Sequence, residues 1–158
     1  MDIESIARKY VEYSIWWIHT GDSLYEKVSK EFKEKMKIEI SKGLSEREAY
    51  NKINESVTFA DHHNQKTAWE ADKIIKKGGL IGWQLLCKII DFSPDDDKVL
   101  AYIGAGPFED WISKKRYNKF KFDLQKFIKS STKWKTIAES SWHNPPELEK
   151  FLASLNSN

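Results

Sequence analysis

Asp61, His62 and His63, with Glu70 downstream, are the densest candidate for chemistry in this 158-residue chain. Imidazoles move protons near neutral pH and ligate divalent metals, and a neighbouring carboxylate would support acid–base chemistry. The spacing is poor for a shared ion, because adjacent residues on a helix point about 100° apart. The zinc-protease arrangement of two histidines four residues apart is absent, and only His19 and His143 occur elsewhere. A surface or capping role is the simpler expectation for His62 and His63. The chemical alternative is a metal-dependent or acid–base hydrolase using His62, His63, Glu70, Glu109 and Asp110. No resident metal or cofactor is expected, and no residue is assigned as catalytic.

Glu109 and Asp110 stand at an expected helix start, where carboxylates satisfy backbone donors and complement the helix dipole. Gly104-Ala105-Gly106 lacks the spacing of a nucleotide-phosphate loop, and acids follow it where phosphate would sit. Cys87, the one cysteine, lies in the apolar run Leu85-Leu86-Cys87-Lys88-Ile89-Ile90. No internal disulfide is possible, a reducing cytoplasm fits best, and a buried structural thiol is expected.

The other candidate is a basic stretch. Lys114, Lys115 and Arg116 open it, and Lys119, Lys121, Lys126, Lys129, Lys133 and Lys135 follow, with Asp123 among them. Tyr117, Phe120, Phe122, Phe127 and Trp134 are interleaved. Aromatics among lysines can track a single nucleic-acid strand. The same pattern is an amphipathic helix with Phe120, Leu124, Phe127 and Ile128 on its core face and lysines in solvent. An acidic protein docking on Lys114, Lys115, Arg116, Lys119 and Lys121 is the partner-binding expectation. Only three of the 26 basic residues are arginine, which argues against nucleic acid as a partner, since phosphate and base recognition lean on the guanidinium fork.

These groups must be positioned by one kind of element. Glycine (7) and proline (4) are scarce, 40% of residues are hydrophobic and 13% aromatic, and no segment alternates with period two. The fold expected is all-α: a compact single domain over 1–158, of about seven to nine short helices in antiparallel pairs, stacked as in α-solenoids. The apolar positions from Ile3 to Ile18 form one helix face, and Leu24, Val28, Phe32, Met36 and Ile40 form another. Gly43 suits a left-handed cap, and Ser45 and Glu48 have capping-box spacing. Helical patterning runs from Asp61 to Lys77 and breaks at Gly78-Gly79. Leu80 to Phe92 is apolar apart from the stripe Gln84, Lys88 and Asp91.

Ser93-Pro94 then reads as a helix cap with proline at the first position. Gly104 reads as the end of that helix and Gly106-Pro107 as a restart. Ser131 and Asn144 read as caps of the last two helices. Trp69, Trp83, Trp111, Trp134 and Trp142 sit among apolar neighbours and are expected in the core, and one of Trp16 and Trp17 at its edge. The net charge of +2 singles out neither nucleic acid nor membrane. No apolar run reaches the roughly 18 residues that would span a bilayer, so a cytoplasmic protein is expected.

The segment Trp83 to Asp110 resembles a bacterial domain-of-unknown-function family. The shared residues are Trp83, Leu85, Leu86, Ile89, Pro94, Asp95, Asp96, Leu100, Ala101, Tyr102, Gly104, Ala105, Gly106, Pro107, Glu109 and Asp110, with Phe108 where leucine is usual. Ser141-Trp142-His143-Asn144-Pro145-Pro146-Glu147 is similar to the family's aromatic-then-proline ending. The match covers about the C-terminal half, and the family supplies no catalytic residues. By analogy with small helical proteins of this type, the expected function is a non-enzymatic interaction module, an immunity protein that neutralises a cognate bacterial toxin by direct binding.

Overall fold

The computed structural model describes residues 2–54 and 63–157, the side chains of 21–26, 28 and 54 excepted. Among them nine α-helices have seven or more residues: α1 (Ile3–Trp16), α2 (Asp22–Ser41), α3 (Glu46–Asn54), α4 (Gln65–Lys77), α5 (Gly79–Phe92), α6 (Asp97–Ile103), α8 (Lys114–Ser130), α9 (Thr132–Glu139) and α10 (Pro146–Leu155). The short α7 (Glu109–Trp111) follows a widened π-helical turn, Gly104–Phe108, and a second such turn, Trp17–Gly21, follows α1. The described residues contain no strand, and the protein is all-α. The chain, read from its sequence as one domain, groups into two compact units, one of residues 1–15 with 64–158 and one of residues 16–63.

In the smaller unit, α2 packs on α3. The turn between them follows local rules. Gly43 takes φ +94°, and Ser45 and Glu48 make the reciprocal capping box, with Ser45 N donating to Glu48 Oε2 at 3.0 Å and Glu48 N to Ser45 Oγ at 3.4 Å. Glu39 on α2 pairs locally with Lys42 (2.8 Å) and links to α3 through Lys52 (2.6 Å).

In the larger unit, the core is built around one ring. Trp83 on α5 lies 4.7 Å from Trp111, 5.1 Å from Phe120, 6.1 Å from Phe127 and 5.7 Å from Trp134, measured between ring centroids. Phe127 and Trp134 stack at 5.1 Å. Aliphatic side chains of α4 to α6 and α8 to α10, from Ile75 to Leu148, fill the remainder. Trp69 and Trp142 depart from the core expectation at 56% and 80% exposed. Trp69 lies on α4 one residue, about 100°, past the buried Ala68, and Trp142 lies in the loop between α9 and α10.

Three helix boundaries differ from the sequence expectation. Ser93 ends α5, its Oγ donating to Ile89 O at 2.6 Å. Asp96, not Ser93, caps α6, accepting from Lys98 N at 2.9 Å and Val99 N at 3.1 Å. Asn144 does not cap α10: its Nδ2 donates to Ala138 O at 2.7 Å, tying off the end of α9. Ser131 caps α9 as expected, through Trp134 N at 3.4 Å.

Gly104 does not stop the chain either. Its backbone stays helical, φ −65° and ψ −50°, and the turn widens around Pro107, which has no N–H to give. Gly104 is required for a different reason. A Cβ there would collide with the Ile137 carbonyl oxygen and lie 2.7 Å from Ser140 Cβ, because α9 crosses against it. Gly104→Ala should therefore lower the unfolding free energy by about 1–3 kcal/mol, the usual cost of overpacking, read by denaturant melts. Gly106, with nothing near its Cβ position, should accept alanine at less cost.

Candidate functional site

Helix α8 is amphipathic. Its buried side is Tyr117, Leu124 and Ile128, with Phe120 and Phe127 half-buried against the Trp83 cluster. Ser113 caps its start, accepting from Arg116 N at 3.3 Å. Its first turn then places Lys114, Lys115 and Arg116 at the positive end of the helix dipole, where cations are disfavoured.

Two of those three cations are engaged. Lys114 pairs with Glu147 at 3.3 Å, joining the N-terminal ends of α8 and α10. The Arg116 guanidinium donates to Lys76 O (2.6 Å), Trp111 O (2.7 Å) and Asp110 O (3.2 Å). It thereby closes the carbonyl ends of α4 and α7. The residue that makes room for it is Gly78, at φ +73°, where a Cβ would lie 2.5 Å from the guanidinium. Arg116 is thus a structural cation.

On the outer face of α8, Lys115, Lys119, Phe122, Lys126 and Lys129 are all exposed. They are spaced by four, three, four and three residues and fall within about 80° of the helix circumference. None of these four lysines forms an ion pair with a described residue. Phe122 is 86% exposed at the middle of the row. A depression of about 440 Å3, lined by Phe122, Gln125, Lys126, Lys129 and Ser130, opens beside it. Lys121 is exposed as well but lies off the row by more than a quarter turn. Helix α8 holds seven basic residues and one acid, so the rest of a chain of net charge +2 is net acidic.

Of the four lysines and one arginine expected from sequence to bind a partner, Lys115 and Lys119 lie on this row. Lys126, Lys129 and Phe122 complete it. Their spacing was the available signal, and it was visible in the sequence only as part of a longer basic stretch.

The second expected cluster falls only partly within the described residues. His62 lies outside the described residues. His63 and Glu70 are exposed, in a turn and on α4. Asp110 pairs with Lys76 at 3.2 Å. Glu109 accepts from Trp142 N at 2.6 Å and Ser141 Oγ at 3.4 Å, and its Oε1 lies 2.7 Å from His143 Nδ1. It anchors the α9–α10 loop rather than its own helix start, and so holds the exposed Trp142 in place. Ser141 Oγ points to the carboxylate, not to the imidazole, so this is no nucleophile–base pair. Among the described residues no group of three or more His, Cys, Asp or Glu side chains is placed to hold a metal.

The His143 ring, followed by the Trp142 N–H, holds the Glu109 carboxyl below its ordinary range despite partial burial. A carboxyl lowered on folding stabilises above its unfolded value and loses that contribution as pH falls through the lowered one. Glu109→Gln should therefore speed amide exchange at Trp142 at neutral pH, and the difference from the parent protein should close in acid.

A polar group missed from sequence lies between α1, α4 and α6. The Tyr10 hydroxyl, the Asp72 carboxyl and the Tyr102 hydroxyl lie close enough to influence one another's protonation, and burial raises Tyr10 well above its ordinary value. Burial raises the Asp72 carboxyl, with the charge of Asp110 adding to it and the Tyr10 hydrogen bond opposing it. Burial also pushes Tyr102 up to about 12. Three residues separated by 62 and 30 positions carry no local signature that sequence reading could use. Cys87, half-buried, has its thiol pushed up to about 12 by burial and then by Asp91 and Asp123. It stays protonated at neutral pH, which removes it as a nucleophile.

Comparison with protein-family models, curated proteins and solved structures found no match.

Proposed function

We propose that this chain is a non-enzymatic protein-interaction module that receives an acidic protein partner on the outer face of α8, and that it acts as an immunity protein, neutralising a bacterial toxin domain by binding it. The observation that carries the reading is the row of four lysines, none of them in an ion pair with a described residue, around the exposed Phe122. Charge of one sign around an apolar anchor is the usual anatomy of an interface with an oppositely charged partner. The basic first turn of α8 supports it, since Lys115 stands against the helix dipole with no local compensation.

The kinship of 83–110 with the bacterial domain-of-unknown-function family is part of this proposal and rests on its motif. A nucleic-acid partner fits less well. Tyr117, Phe120 and Phe127 face inward, leaving one exposed ring on α8 where a strand needs a succession of them, and Arg116 is held by carbonyls. No described helix is long and apolar enough to cross a membrane.

The test is affinity capture of the tagged chain from its native cells, followed by expression of the captured protein alone and together with this chain. A one-to-one acidic partner that is toxic alone and harmless in the pair is the expected result. A stoichiometric partner that is basic, or harmless when expressed alone, would overturn the immunity form of the proposal.

A further inference from the structure

We propose that the loop of residues 141–143, between α9 and α10, is a proton-operated latch, closed on an ionised Glu109 and released when that carboxyl takes up a proton. Three contacts close it. Trp142 N donates to Glu109 Oε2 at 2.6 Å and Ser141 Oγ to the same oxygen at 3.4 Å, while His143 Nδ1 lies 2.7 Å from Oε1. An ionised carboxylate only accepts hydrogen bonds, so His143 Nδ1 carries the hydrogen in the closed state. None of the three contacts involves α8.

Release follows from the inventory of donors. A proton on Oε1 faces the Nδ1–H, since an imidazolium in acid carries hydrogen on both ring nitrogens. A proton on Oε2 faces the Trp142 N–H. In either place one short contact becomes donor against donor, and the other loses its charge assistance. Only the longer Ser141 contact can turn round to accept. Charged groups on the surrounding elements are held by other partners: Lys76 of α4 by Asp110 at 3.2 Å, Lys114 of α8 by Glu147 at 3.3 Å, Glu139 of α9 by Lys135 at 3.8 Å, and Arg116 by carbonyl oxygens. Among the described residues His143 is the titratable group that bears on Glu109, and it holds the carboxyl below its ordinary range. The latch is therefore closed at neutral pH and opens in acid. Opening is confined to the loop, because the bond from Asn144 Nδ2 to Ala138 O at 2.7 Å involves no ionisable group. While closed, the latch fixes the backbone beneath the Trp142 ring, which is 80% exposed, and so lowers the ordering cost of any contact that ring makes.

The test is a pH titration of the full chain by NMR, following the Trp142 and Ala138 backbone amides in the parent, Glu109→Gln and His143→Ala. In the parent the Trp142 amide should shift in a step below about pH 4, the carboxyl range. Its protection against exchange should fall at least about tenfold across that step, as local opening requires, with Ala138 still protected. Glu109→Gln should show no step in that range. His143→Ala should keep the step and move it up toward the ordinary carboxyl value, because the group that favours the ionised form is gone; a purely structural histidine would leave the midpoint where it was. Trp142 protection that stays level through the parent's step overturns the latch, as does a step that persists in Glu109→Gln or a midpoint unmoved in His143→Ala. Loss of Ala138 protection at the same pH overturns it too, and assigns the step to unfolding of α9.

Discussion

Trp83→Ala should lower the unfolding free energy by about 3–5 kcal/mol, the range for deleting a buried aromatic ring, and so cost roughly 10 °C in melting temperature for a chain of this size. Trp83 touches Trp111, Phe120, Phe127 and Trp134, which come from three other helices. Its removal leaves a void that four large rings cannot collapse into without leaving their rotamers. Trp83→Phe should cost less, since the smaller ring keeps most of the stacking. Denaturant melts of both variants check it. A loss below about 1 kcal/mol for the alanine would mean that the rings are not one packed unit. The effect bears on function because α8 takes its orientation from Phe120 and Phe127, and its outer face is displayed only as firmly as that packing holds.

Phe122→Ala should do the reverse. The ring is 86% exposed, so stability should change by no more than about 0.5 kcal/mol. Partner affinity should fall by about 30-fold or more, the size of a binding hot spot of about 2 kcal/mol. The contrast matters more than either value, since an aromatic of α5 and an aromatic of α8 would separate into one that folds the protein and one that binds. Unchanged affinity for a captured partner would remove Phe122 from the interface.

How far the sequence is legible follows the range of each interaction. The capping box at Ser45 and Glu48 and the left-handed Gly43 were legible because the partners are neighbours. The apolar stripe of α5, with Gln84 and Asp91 exposed, was legible because helical periodicity is local. Ser93 and Asn144 were misread because a serine or asparagine can close the preceding helix as readily as open the next. Trp69 and Trp142 were misplaced because apolar neighbours in sequence do not say which way a side chain faces.

Gly104 was read as a stop for want of α9 beside it. Glu109 was read as a helix-start acid, whereas its partner Trp142 is 33 residues away. The basic stretch was legible in composition, but its division into Arg116 and Lys114, held by the fold, and the exposed row from Lys115 to Lys129 needed coordinates. The row itself was written in the spacing.

The central claim is that α8 receives an acidic protein through this row. It is tested most directly by titrating the captured partner against the parent chain and Lys119→Glu/Lys126→Glu over a range of salt concentrations. The account predicts a parent affinity that falls as salt rises, and a loss of about 100-fold in the variant at low salt, from two attractions turned into repulsions worth together about 3 kcal/mol. The gap should narrow as salt screens both. Equal affinity of parent and variant at every salt concentration would contradict the account and move the binding surface off α8.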